Sequence, residues 1–150
     1  MKRLIPIAIS AVLAAPVAAQ ATDGTPPQTL FAPANSVELG DFRWKRRPVV
    51  VFADSTNDPA FIEQMELLRS GESELIERDV IVLTDTDPDA QGALRLKMRP
   101  RGFMLVLVGK DGGIKLRKPF PWSVREISRS IDKMPMRQRE IRDSKEAADG

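Results

Sequence analysis

One continuous apolar run constrains the fold of this chain more than any other feature. Residues 48–53 have the sequence Pro-Val-Val-Val-Phe-Ala, and a polar turn follows directly. A short run rich in β-branched residues is typical of a strand buried on both faces, as in a parallel sheet. Asp58 suits a helix N-cap, Pro59 suits the first helical position, and Gly71 is expected to end the helix with a left-handed φ. We therefore predict a strand, a turn and a helix, and an α/β fold.

Further segments extend this pattern along the chain. Residues 80–83 and 103–108 are apolar runs that predict two more strands. Residues 109–113 contain Asp-Gly and predict a hairpin turn into a returning strand at residues 114–117. Ser-Val-Arg-Glu at residues 123–126 is a capping box that opens a last helix. A mixed sheet of four strands follows, with a right-handed parallel crossover between its first two strands.

The N-terminal end has the features of a secretory signal peptide rather than of an uncleaved anchor. A short apolar stretch, residues 4–15, follows Lys2 and Arg3, and cleavage could follow Ala19 or Ala21. The stretch is too short to span a bilayer, which takes about 20 residues. We expect a periplasmic or secreted protein with no stable membrane anchor after cleavage.

This organisation predicts four segments. They are a signal peptide at 1–21, a flexible segment at 22–38, the α/β domain at 39–142 and a charged tail at 143–150.

Composition restricts the chemistry. The chain has 23 basic and 21 acidic residues, and loss of Lys2 and Arg3 leaves it balanced. A balanced chain lacks the concentrated basic face that nucleic acid binding requires, so we expect no nucleic acid partner. The chain has no cysteine and no histidine. It therefore lacks a thiolate nucleophile and the usual side-chain ligands for zinc, and we expect no cofactor, no metal and no thiol redox activity.

Three charged clusters have structural interpretations. The basic groups Lys45-Arg46-Arg47 and Arg95/Lys97/Arg99/Arg101 are expected to be solvated. Residues 85–89, Asp-Thr-Asp-Pro-Asp, resemble the start of a calcium loop, but Ala90 stands where that loop needs Gly. We instead expect Asp87 to cap a short helix that begins at Pro88 and runs to about residue 96.

The order β-α-β-α-β-β-α with a late hairpin resembles the thioredoxin fold, which implies a three-layer α/β sandwich. Thioredoxins carry their Cys-x-x-Cys in the turn that here has the sequence Thr56-Asn57-Asp58-Pro59. Their cis-Pro should fall near residues 101–104, where this chain has none. The absence of both thiols removes the attacking and leaving groups of thiol-disulfide exchange.

The chain also resembles a bacterial exported domain family of unknown function, which is peroxiredoxin-like in outline and is also found in sushi-repeat extracellular proteins of animals. Four segments carry this resemblance in order: residues 44–53, 77–80, 103–117 and 132–137. The resemblance covers about residues 39–142. It implies the fold and export, and it brings no established activity.

The leading functional hypothesis is a non-catalytic binding or adaptor module. The candidate binding residues follow the first strand, where ligands of open α/β sheets bind; they are Asp54, Ser55, Thr56, Asn57 and Asp58. Because the acids would repel an anion, we expect a protein or peptide partner that presents a cationic group or a backbone N–H. The alternative is that Asp54, Ser55 and Asp58 satisfy only local backbone donors.

Two other hypotheses stay open. In the first, Asp54 is a general base at the strand end, with Arg78, Lys110 or Arg117 as its electrostatic partner, or a carboxylate holds a metal together with Asp85 or Asp87. In the second, the protein is a structural component of the envelope or matrix. The contact surface would then be an exposed aromatic cluster of Trp44, Phe120 and Trp122, whose exposure the sequence does not determine.

Overall fold

A mixed sheet of five strands organises the chain. The computed structural model describes residues 29–150. The strands are β1 Phe31–Pro33, β2 Arg47–Phe52, β3 Val80–Asp85, β4 Met104–Val108 and β5 Ile114–Lys118. They lie in the order β1-β3-β2-β4-β5, with β1, β2 and β3 parallel and β4 antiparallel to both β2 and β5. The predicted signal peptide and residues 22–28 lie outside the described residues.

The sheet has five strands instead of the predicted four. The additional strand, β1, comes from the segment predicted to be flexible and pairs with residues Val82 to Thr84 of β3. Its three residues are too few to show an alternating pattern. The strand forms because a neighbouring strand, β3, supplies hydrogen-bonding partners that are distant in sequence.

Residues 29–150 form five α-helices, of which the first four pack on the two faces of the sheet. They are α1 Pro59–Ser70, α2 Glu72–Glu77, α3 Ala93–Met98, α4 Val124–Asp132 and α5 Pro135–Asp149, and short 3-10 turns occur at Ala34–Ser36, Leu39–Phe42 and Pro88–Ala90. The predicted capping box is confirmed, because Ser123 and Glu126 each bond the backbone of the other. The helix predicted after Pro88 is a 3-10 turn followed separately by α3. Helix α5 continues through most of the predicted charged tail.

Two cores explain the apolar run in β2. All six residues of β2 are buried. Val49 and Val51 belong to the core under α1, α2 and α4, whereas Val50 and Phe52 belong to the core on the α3 side. Alternate side chains of one strand therefore serve both cores, and full burial of each stabilises the fold by about 1.5 to 3 kcal/mol.

Gly71 has a different role from the predicted one. Its φ is −127°, outside the left-handed region. A Cβ at this position would lie 2.6 Å from Cγ1 of Val124. The glycine is needed because the junction of α1 and α2 approaches α4 closely.

No helix among residues 29–150 combines the length and the apolar character needed to cross a bilayer.

Candidate functional site

The five predicted binding residues form one turn, residues 54–58, at the carboxyl end of β2. Two of them have local roles. Oδ1 of Asp58 accepts a hydrogen bond from the Ala60 N–H at 2.9 Å, which confirms the predicted N-cap. Oγ of Ser55 accepts one from the Asn57 N–H at 3.2 Å. These two bonds shape the turn and start α1.

The other three residues of the turn have no such role. The side chains of Asp54, Thr56 and Asn57 are exposed. None of them makes a hydrogen bond to any described residue. The turn therefore presents three uncommitted polar side chains.

A buried ion pair holds the strand ends beneath the turn. Nη2 of Arg95 donates to Oδ1 of Asp85 and to the carbonyl of Ala53, both at 2.9 Å. Its guanidinium also lies 5.5 Å from the ring centroid of Phe52. Arg95 was expected to be solvated, but it is only 9% exposed because α3 packs it over the sheet. The base of the turn is thus firmly connected to two strands.

The acidic stretch after β3 is also engaged locally. Asp85 pairs with Arg95, and Oδ1 of Asp87 accepts from the Ala90 N–H at 3.3 Å. The second contact confirms Asp87 as a cap. Within residues 29–150 no three acidic side chains are grouped in a way that could hold a metal ion.

The residues proposed to assist Asp54 in catalysis lie elsewhere. Arg78 pairs with Asp132 at 2.8 Å and Lys110 with Glu140 at 2.7 Å, both beyond the amino end of β2. Six residues of β2 separate the two ends of the sheet by about 17 Å. Arg117 donates to the carbonyl of Met98. The structure does not bring these cations to Asp54.

The aromatic side chains do not form one surface. Trp44 is 60% exposed and lies at the amino end of β2, where its backbone N–H donates to the Lys110 carbonyl. Phe120, 52% exposed, follows β5 and lies at the turn end. Trp122 is half-buried against the core, with Nζ of Lys118 4.6 Å from its ring centroid.

A charged cluster around a buried arginine occupies the amino end of β2, opposite the turn. Arg47 is 1% exposed, although it was expected to be solvated. Its Nη2 donates to Oε1 of Glu140 at 3.0 Å, and its Nη1 donates to the carbonyl of Arg78 at 2.9 Å. Nζ of Lys110 bonds the same Glu140 oxygen and also Oδ2 of Asp79 at 2.8 Å. We call this group, together with the pairs described next, the Arg47 cluster.

Helix α5 and the end of α4 complete the Arg47 cluster. Arg78 binds both carboxylate oxygens of Asp132, at 2.9 and 2.8 Å. Arg137, 8% exposed, lies within 3.5 Å of Asp132, 3.2 Å of Glu77 and 3.4 Å of Glu140. The cluster therefore joins β2, the connection between α2 and β3, the turn between β4 and β5, α4 and α5 through bridging carboxylates.

The neighbours of the acids change their proton affinity. Burial favours the neutral form of Glu140, but hydrogen bonds from Arg47 and Lys110 and their charges outweigh it and lower its pKa from 4.5 to about 2. The hydrogen bond from Arg78 lowers the pKa of Asp132 and raises that of Arg78 itself. Both acids are charged at neutral pH.

A cleft of about 270 Å³ opens beside the Arg47 cluster. Its apolar wall is formed by Met134, Pro135 and Met136 at the start of α5, and Arg47 and Lys110 line it from the sheet. The sequence analysis did not anticipate this site. One signal was present in the sequence. The four segments that carry the family resemblance all reach this end of the molecule; they are residues 44–53, 77–80, 103–117 and 132–137.

A match to a family model covers most of the described chain. Residues 38–140 match the model of DUF4174, a domain of unknown function, and the chain belongs to this family. It is also 32% identical over 133 residues to the coiled-coil domain-containing protein 80 of Danio rerio. That alignment covers 69% of this chain but only 15% of the relative, so the chain spans a small part of the relative's length.

Two solved structures share the fold. The reduced 2-Cys peroxiredoxin of Plasmodium vivax matches 69% of this chain and 85% of its own, with a TM-score of 0.56 and 15% identity. A chloroplastic thioredoxin z matches 70% of this chain and 92% of its own, with a TM-score of 0.54 and 19% identity. The predicted thioredoxin-like α/β fold is thereby confirmed, here with five strands and without cysteine.

Proposed function

We propose that this member of the DUF4174 family is an exported, non-catalytic binding module that holds a protein or peptide partner at the turn, residues 54–58. The observation that supports the proposal is the state of Asp54, Thr56 and Asn57, which are exposed and uncommitted on a base that Arg95 holds in place. Such a turn combines freely available polar groups with a rigid scaffold, as binding loops commonly do.

The chemistry of the turn favours a partner with donor groups. The carboxylate of Asp54 accepts hydrogen bonds and attracts positive charge, whereas Thr56 and Asn57 both donate and accept. Exposed Phe120 at the same end of the sheet adds an apolar contact. A peptide amine, a lysine side chain or an extended backbone would satisfy these groups.

Export and origin form part of the same proposal. We propose a bacterial periplasmic or secreted protein related to the domain of animal sushi-repeat proteins. The supports are the signal-like residues 1–21 and the resemblance described above.

Expression in a Gram-negative host, followed by mass spectrometry of the periplasmic product, tests export. A mature N-terminus at Gln20 or Thr22 is expected, and an intact Met1 in the cytoplasmic fraction would contradict the proposal.

Site-specific photo-crosslinking tests the binding role. A benzophenone amino acid replaces Thr56 in one protein and exposed Glu63 on α1 in a matched control, and both are irradiated in an envelope extract. We expect one defined protein to be captured through position 56 and not through position 63. Asp54→Ala should abolish the capture, whereas the charge-matched Glu63→Ala should leave it unchanged.

Asp58 is left intact in these variants because it caps α1. Equal capture through both positions, or capture that survives Asp54→Ala, would contradict binding through the turn.

A further inference from the structure

The cleft beside the Arg47 cluster combines an apolar wall with positive charge. Its volume of about 270 Å³ is far above the roughly 10 to 15 Å³ that one water molecule needs, which is room for a small organic molecule. Met134, Pro135 and Met136 form the apolar wall. The polar lining is mainly basic and consists of Arg47, Lys110, Lys115 and Arg139, with Asp111 as the acidic member.

The acids around the cleft do not balance these cations. Glu140 and Asp79 pair with Arg47 and Lys110, and Asp111 pairs with Lys115 at 2.8 Å. Arg139 is exposed and has no salt bridge or hydrogen bond among residues 29–150. One positive charge at the cleft is thus uncompensated.

The start of α5 adds to this positive potential. Met134 is its N-cap and supplies no side-chain hydrogen bond, and Pro135 occupies the first turn. A helix of this length carries about half a positive elementary charge at its N-terminus. Because Met134, Pro135 and Met136 line the cleft, this end of the dipole lies at the cleft wall.

The guanidinium of Arg47 is not fully satisfied. Its Nη1 and Nη2 are engaged by Arg78 and Glu140, but its buried Nε has no hydrogen-bond partner among the described residues. An unsatisfied buried donor costs about 1 to 3 kcal/mol. Arg47 lines the cleft, so an unsatisfied donor lies behind the cleft wall.

We propose that the cleft is a binding site for a small organic carboxylate with an apolar body. The carboxylate lies toward Arg47, Arg139 and the start of α5, and the apolar body packs on Met134 and Met136. This site is at the opposite end of the sheet from the turn, and it does not depend on the function proposed for the turn.

Calorimetric titration of residues 22–150, which include every described residue, tests the proposal with three probes. Hexanoate supplies both the charge and the apolar body, hexanol lacks the charge, and inorganic phosphate lacks the apolar body. We expect hexanoate to bind with a Kd on the order of 1 mM or tighter, and hexanol and phosphate at least tenfold more weakly. Higher ionic strength should weaken hexanoate binding.

A pair of charge-matched variants locates the site. Arg139→Ala removes the uncompensated cation and should weaken hexanoate binding about tenfold. Arg125→Ala removes an exposed arginine from α4, outside the cleft, and should leave binding unchanged. Both side chains are exposed, so both variants are expected to fold. Hexanol binding as tightly as hexanoate, phosphate binding more tightly, no hexanoate binding at all, or equal effects of the two variants would each overturn the proposal.

Discussion

The two ends of the sheet use charged residues in opposite ways. At the carboxyl end of β2, the turn exposes Asp54 and keeps it free of any partner among the described residues. At the amino end, Arg47 is buried and shares Glu140 with Lys110. The difference lies in what covers each end. Helix α5 places Glu140 over one end, whereas at the other end the cation that α3 supplies, Arg95, pairs with Asp85 and leaves Asp54 without a counter-charge.

This comparison separates residues that stabilise the fold from residues that are free to bind a partner. Buried pairs hold elements together only while both partners are present, because a lone buried charge is costly. Exposed groups contribute little to folding and can be used for binding without loss of stability. We therefore expect substitutions at the two ends to affect different measurements.

The largest effect is expected for Arg47→Met. The change removes the bonds that Arg47 makes to Glu140 and to the Arg78 carbonyl. Because two other cations still pair with Glu140, the free energy of unfolding should fall by about 2 to 4 kcal/mol. Urea unfolding followed by circular dichroism measures it. Asp54→Ala, measured by the same urea unfolding, is the control from the carboxyl end of β2. A loss below about 1 kcal/mol for Arg47→Met would remove the proposed contrast.

Acid should weaken the Arg47 end selectively. Because folding lowers the pKa of Glu140 from 4.5 to about 2, its contribution is complete above pH 4.5 and is lost as the pH falls toward 2. The full shift corresponds to about 3 kcal/mol. Asp132, whose pKa is also lowered, should add to the loss.

Unfolding free energies measured between pH 5 and pH 2 check this dependence. Glu140→Gln should be less stable at pH 7 and should show a flatter profile. An unchanged slope in Glu140→Gln would show that other acids carry the acid sensitivity.

A smaller effect is expected within the turn at Asp58. Asp58→Ala removes the bond to the Ala60 N–H and should cost about 1 kcal/mol, whereas Asp58→Asn should keep most of the stability. Thermal unfolding of both variants measures this. Equal losses for alanine and asparagine would mean that the charge of Asp58, and not its capping bond, stabilises α1.

The smallest effect on stability is expected for Asp54→Ala. Because the side chain is exposed and unbonded, the free energy of unfolding should change by less than about 0.5 kcal/mol. The same variant should lose the partner captured through position 56. A large loss of stability would show that Asp54 has a structural role. It would then contradict the proposed difference between the two ends of the sheet.

Local patterns predicted the parts of the fold that local physics determines. The run at residues 48–53, the cap at Asp58 and the capping box at Ser123 needed only neighbouring residues and were confirmed. Strand β1 was missed because its partner, β3, is about 50 residues away.

Burial of the arginines was missed for the same reason. The acid that compensates Arg47 is Glu140, 93 positions further along the chain. Arg95 and Asp85 are only 10 positions apart, but the packing of α3 on the sheet decides that they meet. A charged run therefore predicts exposure only where no later element returns to cover it.

The strands at the two edges of the sheet bear on how the protein behaves at high concentration. An unpaired edge is a template on which a second chain can add a strand and begin to aggregate. One edge, β1, has only three residues and ends at Pro33, which has no N–H to donate. The other, β5, carries Lys115, Arg117 and Lys118. Short length, proline and repeated positive charge make both edges poor templates, so the apolar residues of the central strand β2 stay enclosed.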